Sequence, residues 1–300
     1  MTPLLEAEGL SKHYGRRRAL SECTVSIPAG RVAGLVGPNG AGKTTLLQLA
    51  VGLRAPSAGW IRVLGRRPAE DAAQLGRVGF VAQETPVYPN LTVDQHLAMG
   101  AGLNAGWEAA LARSRIEGLG LDPGQKAGSL SGGQRAQLAL ALAVSKRPEL
   151  LVLDEPVASL DPLARREFLQ GLMETVAEHQ TGVVVSSHLI SDLERVCDYL
   201  VVLVDSQVVL AGDVADLLAG HHMLTGPRRD TSRLPADQTV IEESHTERQS
   251  TVLVRTRGPI LDPGWTAKPL SLEDLVLAYM RKGRGRPGGS TSRAGLEVVA

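Results

Sequence analysis

Short apolar runs of four to six residues alternate with stretches of helical periodicity up to about residue 220. This alternation predicts an α/β domain built on a largely parallel central sheet. Core strands are read at "RVAGLV" (31–36), "RVGFVA" (77–82), "LLVLDE" (150–155), "GVVVSS" (182–187), "YLVVLV" (199–204) and "QVVLAG" (207–212). Two earlier runs, "LLEAEGL" and "ALSECTVSI", read as an antiparallel β side sheet. From Pro86 to Arg147 the strand signal gives way to Ala- and Leu-rich helical patterns, which predicts a helical subdomain (86–147) inserted between two core strands.

Beyond residue 220 comes a polar link, "TGPRRDTSRLPADQ", followed by alternating "TVIEES" and "STVLVRT", a candidate hairpin across "HTERQ". In "SLEDLVLAYMRKG" a helix is expected to start at Ser271, with acids in its first turn, and to end with basic residues and Gly283. The expected division is one domain over 1–220, a small α+β accessory domain over 221–283, and a disordered tail over 284–300, rich in Gly, Ser and Arg. The cluster Arg281, Lys282, Arg284 and Arg286 reads as a solvated end, or as a weak contact for anionic headgroups.

Charge narrows the candidate partners. Thirty-two basic residues balance 32 acidic ones, so no long-range field favours nucleic acid or an anionic surface. Two cysteines, Cys23 and Cys197, are too few for a disulfide framework or a zinc site. The N-terminus lacks the apolar core of a signal peptide, and no apolar run has the length of a membrane helix, so action at a membrane is expected to require a partner.

Two segments carry anion-binding chemistry. "GPNGAGKTT" follows a predicted strand and opens a helix, the context a phosphate loop requires. In such a loop the backbone N–H groups of Gly37, Pro38, Asn39, Gly40, Ala41, Gly42, Lys43, Thr44 and Thr45, proline excepted, wrap phosphates. Lys43 neutralises the outer ones and the Thr44 hydroxyl is placed for Mg²⁺. "LSGGQ", with Ser131, Gly132, Gly133 and Gln134, precedes a second helix whose free N–H groups also suit an anion. The apolar strand "LLVLDEP" ends in two carboxylates: Asp154 as a water-mediated Mg²⁺ ligand and Glu155 as the general base for an attacking water.

These motifs, in this order and with the signature 20 residues before Asp154, resemble an ATP-binding cassette ATPase of the ABC transporter superfamily over about residues 4–220. The resemblance implies a P-loop NTPase core, with ATP and Mg²⁺ as ligands. It also implies a head-to-tail dimer in which Ser131 and the Gly133 N–H bind the γ-phosphate held by the partner's Lys43. Carried over one at a time, Tyr14 would stack on adenine, and Gln83 would touch Mg²⁺ and the attacking water. His188 would bind the γ-phosphate and position Glu155, and Asp161 would cross the dimer interface. Read locally, Asp161 and Pro162 open a helix.

Val87, Tyr88 and Leu91 fall where the family forms a groove for the permease, or they pack the subdomain; Val157 departs from a position where a small polar residue is common. The resemblance implies an ATPase subunit, homodimeric or paired with a second ATPase, that drives a separate membrane permease from the inner face of the cell membrane. The closing helix favours export. The alternative is a soluble ATPase acting on ribosomes or DNA. One cassette, no CxxC and only 46 residues between Gln83 and Leu130 argue against that alternative.

Overall fold

The computed structural model describes residues 1–84, 87–231 and 234–284. Pro86, at the expected start of the helical insert, and residues 285–300 of the expected 284–300 tail lie outside the described residues, whereas Arg284 falls in the last helix.

A three-stranded antiparallel sheet opens the chain, with β1 (Leu5–Tyr14) between β2 (Arg17–Ile27) and β4 (Ala58–Val63). Beneath it lies a six-stranded sheet of β3 (Val32–Val36), β5 (Val78–Val81), β6 (Leu150–Asp154), β7 (Gly182–Ser187), β8 (Tyr199–Val204) and β9 (Gln207–Asp213). Its order is β5-β6-β7-β3-β8-β9, parallel throughout except for the antiparallel β8–β9 pair. Every residue of β3, β6, β7 and β8 is buried. Strands covered on both faces need no polar alternation, which explains their continuous apolar runs.

β4 was not among the expected strands. It begins with Ala58 and Gly59 and buries only Ile61 and Val63, so its pattern is weak. Gly59 is required there: at φ 70° a Cβ would lie 2.3 Å from the carbonyl oxygen of Gly9 on β1.

Helix α1 (Lys43–Ala50) packs between the two sheets, where Leu46, Leu47 and Leu49 meet Leu5, Val25 and Val201. α2 (Ala72–Arg77) leads into β5. Between β5 and β6, neighbours in the sheet, come α3 (Val93–Leu103), α4 (Ala109–Gly118), a 3₁₀ turn (Ala127–Ser129) and α5 (Gly132–Val144). Val93, Leu97, Ile116, Leu130 and Leu138 give this insert its own apolar cluster. Val87 packs against that cluster and Tyr88 is exposed. α6 (Pro162–His179) joins β6 to β7, and the short α7 (Ile190–Leu193) joins β7 to β8.

After α8 (Val214–Ala219) comes an antiparallel sheet of β10 (His221–Pro227), β11 (Gln238–His245), β12 (Gln249–Thr256) and β13 (Thr266–Lys268), ordered β11-β12-β10-β13. The expected hairpin is β11–β12, but His245 pairs with Ser250, so its turn is shorter than "HTERQ". β10 also claims Thr225–Pro227, which had read as link. α9 (Leu272–Arg284) closes the described chain, and Ser271 caps it by accepting from the Asp274 N–H at 3.1 Å. Gly283 does not end α9. A Cβ there would lie 2.5 Å from Val204 Cγ1, so the residue lets the helix lie against β8. Leu272, Leu275 and Val276 join the same apolar cluster as Val202 and Val204 of β8, so α9 extends the main core.

One buried polar pair ties α9 to the sheet. Fully buried His221 places Nδ1 2.6 Å from the Leu217 carbonyl and Nε2 2.9 Å from the Tyr279 hydroxyl. A carbonyl only accepts, so Nδ1 holds the proton and Nε2 accepts from Tyr279. Burial lowers the His221 pKa, with the bond to Leu217 opposing it. The unfolded chain therefore takes up this proton first, near pH 6.5. His221 stabilises the fold fully above that pH and loses the contribution as pH falls toward its lower folded value, by at most about 1.4 kcal/mol per pH unit. Thermal unfolding followed from pH 7.5 to 5.5 is expected to show this decline, and His221→Gln is expected to flatten it.

Candidate active site

The carboxyl ends of β6, β7 and β3 lie side by side, with Asp154 opposite Ser186 and Val36 opposite Ser187. Ligands of open parallel sheets bind at this edge, where strand order changes direction. The chain leaves β3 through Gly37, where a Cβ would lie 2.2 Å from the Leu203 carbonyl oxygen. It enters α1 through Gly42 at φ 109°, where a Cβ would lie 2.4 Å from the Ala19 carbonyl. No side chain caps α1, so its first N–H groups are available to an anion. Lys43, almost fully buried, donates from Nζ to the Gly37 carbonyl at 2.8 Å and lies 3.2 Å from Glu155 Oε1.

Asp154 is buried at the end of β6. Its Oδ1 accepts from Thr44 Oγ1 at 3.2 Å and from Ser186 Oγ at 2.8 Å. Ser186 Oγ in turn accepts from the Glu155 N–H at 2.9 Å. This hydroxyl therefore fixes both acidic residues. Glu155 adopts φ 45°, a left-handed conformation that costs a non-glycine residue roughly 1–3 kcal/mol. Its carboxylate spans two groups, Oε1 toward Lys43 and Oε2 at 2.9 Å from His188 Nδ1. An ionised carboxylate only accepts, so Nδ1 is the donor.

A cleft of about 550 Å³ brings together Tyr14, Asn39, Gly40, Gly42, Lys43, Thr44, Thr45, Gln83, Glu155 and His188. All ten were singled out in the sequence. Arg17, Ala19 and Ala158 line it as well and were not. Arg17 lies in "YGRRRAL", a basic run three residues after Tyr14 that offered a signal. Ser186 offered only a hydroxyl at a strand end. A second cleft, about 580 Å³, opens beside Arg77 and Arg147 at Leu4 and Thr181, but its cations are taken, Arg77 by Glu149 and Arg147 by Glu108.

The signature residues lie outside the Lys43 cleft. Ser131 caps α5, its Oγ accepting from the Gln134 N–H at 3.1 Å while Gln134 Oε1 accepts from the Ser131 N–H at 2.9 Å, a reciprocal capping box. Gly133 faces α6, where a Cβ would lie 2.8 Å from Ala164 Cβ. Asp161 caps α6, with Oδ1 accepting from the Leu163 and Ala164 N–H groups at 3.0 Å each. Val157, the unusual residue after Glu155, is buried in the main core, which accounts for its apolar character.

A phosphate loop opening α1, with a strand-end aspartate beside its threonine and a glutamate against its lysine, defines a P-loop nucleotide-binding ATPase. The model of the family described as ABC transporter matches residues 20–158. The Nod factor export ATP-binding protein I of Ralstonia nicotianae is 35% identical over 226 residues, covering 72% of this chain and 69% of that protein. The bacitracin transport ATP-binding protein of Enterococcus faecalis is 31% identical over 220 residues, covering 72% and 71%. A solved structure of an ATP-binding subunit of an ABC transporter matches with a TM-score of 0.65 at 28% identity, covering 72% of this chain and 92% of that one. The chain belongs to the ATP-binding subunits of the ABC transporter family, enzymes that bind and hydrolyse ATP.

Proposed function

We propose that this protein is the ATPase subunit of an export-type ABC transporter, paired head to tail with a second ATPase subunit and driving a separate membrane permease from the inner face of the membrane. Relatives named for Nod factor export, bacitracin transport and lantibiotic transport support the transport reading over action on ribosomes or DNA. No helix among the described residues is long and apolar enough to cross a membrane, in keeping with a permease on another chain. Residues 1–220 would be the ATPase domain and 221–283 an accessory region on it.

The observation that carries the proposal is the division of the phosphate-binding groups. Lys43, Glu155, His188 and Gln83 share one cleft, while the start of α5, where Ser131 and Gln134 cap each other, lies outside it. Two chains arranged head to tail would put each Ser131 against the γ-phosphate in the other's cleft. Tyr14, 41% exposed at the cleft rim, offers a ring for adenine. The loop N–H groups and Lys43 hold the phosphates. Glu155 accepts a proton from the attacking water, and His188 holds the carboxylate in place from its other oxygen.

The donors beside the phosphate loop fit Mg²⁺. Thr44 Oγ1 and Asp154 Oδ1 converge at 3.2 Å, hard oxygen ligands of the kind this ion takes along with phosphates and water. Gln83, lining the same cleft, would add an amide oxygen. Bound there, the ion would neutralise charge developing on the phosphates. No group of three or more His, Cys, Asp or Glu among the described residues could hold a metal, so such an ion would be held jointly with the nucleotide.

The test is to tag the chain in its native cell, solubilise membranes gently and identify what co-purifies. A near-stoichiometric multi-span membrane protein is the expected result. Recovery with ribosomes or DNA and no membrane protein would overturn the transporter proposal while leaving the ATPase intact.

A further inference from the structure

Two turns of chain carry groups with different duties in the proposed dimer. Asp161 and the loop before α6 face the partner, as does Ser131, whereas His188 holds Glu155 in the chain's own cleft. One partly exposed ion pair, its two facing atoms out of solvent, joins the two turns. Arg165 Nε lies 3.6 Å from Asp192 Oδ2. Neither atom is exposed or has a hydrogen-bond partner.

Each residue stands one turn beyond the group it would govern. The Arg165 N–H donates to the Asp161 carbonyl at 3.0 Å, and its guanidinium Nη2 donates to the Leu160 carbonyl at 3.3 Å. The Asp192 N–H donates to the carbonyl of Leu189, next to His188, at 3.3 Å. Ala164, beside Arg165, is the residue against which Gly133 of the signature packs. The first turn of α6 thus touches the signature, carries the Asp161 loop and reaches across to the turn after His188.

Opposite charges whose facing atoms are out of solvent, held beyond the 2.7–2.9 Å of a charge-assisted hydrogen bond, leave part of their interaction unused. A displacement of under about 1 Å between α6 and α7 completes the bond.

We infer that Arg165 and Asp192 are positioning residues that couple the partner-facing surface, Ser131 and Asp161, to His188 in the same chain, so that engagement of one ATP site sets Glu155 in the other. This rests on the head-to-tail reading above. Docking of the partner on the α6 turn draws Arg165 toward Asp192, and the His188 turn moves with it. Hydrolysis at the two sites is thereby linked, with Arg165 and Asp192 touching neither nucleotide.

The test measures phosphate release against ATP concentration for the full chain and for Asp192→Asn and Asp192→Glu. ATP-driven dimerisation is followed with the same changes placed in a Glu155→Gln background. Asp192→Asn is expected to bind ATP and dimerise as before, to lose roughly 10- to 10²-fold in kcat, the cost of a misplacement of about 1 Å, and to drop its Hill coefficient from about 2 toward 1. Asp192→Glu, which keeps the carboxylate, is expected to retain cooperative turnover. The coupling is overturned if Asp192→Asn keeps wild-type turnover and cooperativity, if it fails to dimerise, or if Asp192→Glu behaves like Asn. A wild-type chain that stays monomeric with ATP would bring down the head-to-tail reading itself, and the coupling with it.

Discussion

Glu155→Gln is expected to lower ATP turnover on the order of 10²–10⁴-fold, the usual contribution of a general base, with ATP binding preserved. The amide has the volume of the carboxylate, so the φ 45° backbone and the bond the Glu155 N–H donates to Ser186 Oγ are undisturbed. It can still accept from His188 Nδ1 but cannot take a proton from water at neutral pH. The substitution also removes the negative charge 3.2 Å from Lys43 Nζ, which frees that ammonium's remaining donors for the phosphates beside its bond to the Gly37 carbonyl and does not weaken binding. Phosphate release and nucleotide titration on the same preparation check the two halves. Size-exclusion chromatography with ATP is expected to find a stable dimer, since the nucleotide at the interface persists. Undiminished hydrolysis would remove Glu155 from the role of base.

Ser131→Asp is expected to abolish ATP-driven dimerisation, weakening it on the order of 10²-fold or more, as like charges brought together at an interface do. Aspartate is as good a helix cap as serine, so it can go on accepting from the Gln134 N–H and α5 keeps its start. What changes is the charge offered to a γ-phosphate. Ser131→Arg is expected to block association as well, by bulk and with loss of the cap. Because Ser131 lies outside the Lys43 cleft, ATP binding to the monomer is expected to stay within a few-fold of wild type. Light scattering in the Glu155→Gln background checks this, and a dimer that survives both changes would refute the placement of the signature across the interface.

Much of the site was legible in the linear chain because phosphate binding is a local act. Gly37, Gly42, Lys43 and Thr44 lie within eight residues, and consecutive backbone N–H groups are what wrap a phosphate. The core strands were legible for a related reason. Strands covered on both faces are apolar without interruption, and β7 and β8 run over the expected residues, 182–187 and 199–204. Where burial is one-sided or slight the signal failed, as in β4 and in β10, whose last residues looked like link.

The linear chain was enough for the core strands, the phosphate loop, the place of the signature helix and the paired acids, because each depends on neighbours a few residues away; the reciprocal Ser131–Gln134 cap on that helix had read as free N–H groups. Only the tertiary structure decided the rest. Ser186 holds Asp154 because β6 and β7 are adjacent in the sheet, and Arg17 reaches the cleft because the side sheet folds over α1. Gly283 lies inside α9 because that helix packs on Val204, and Arg165 meets Asp192 across 27 residues of chain. Contacts between elements depend on which surfaces the packing of the core brings together, and no spacing along the chain encodes that.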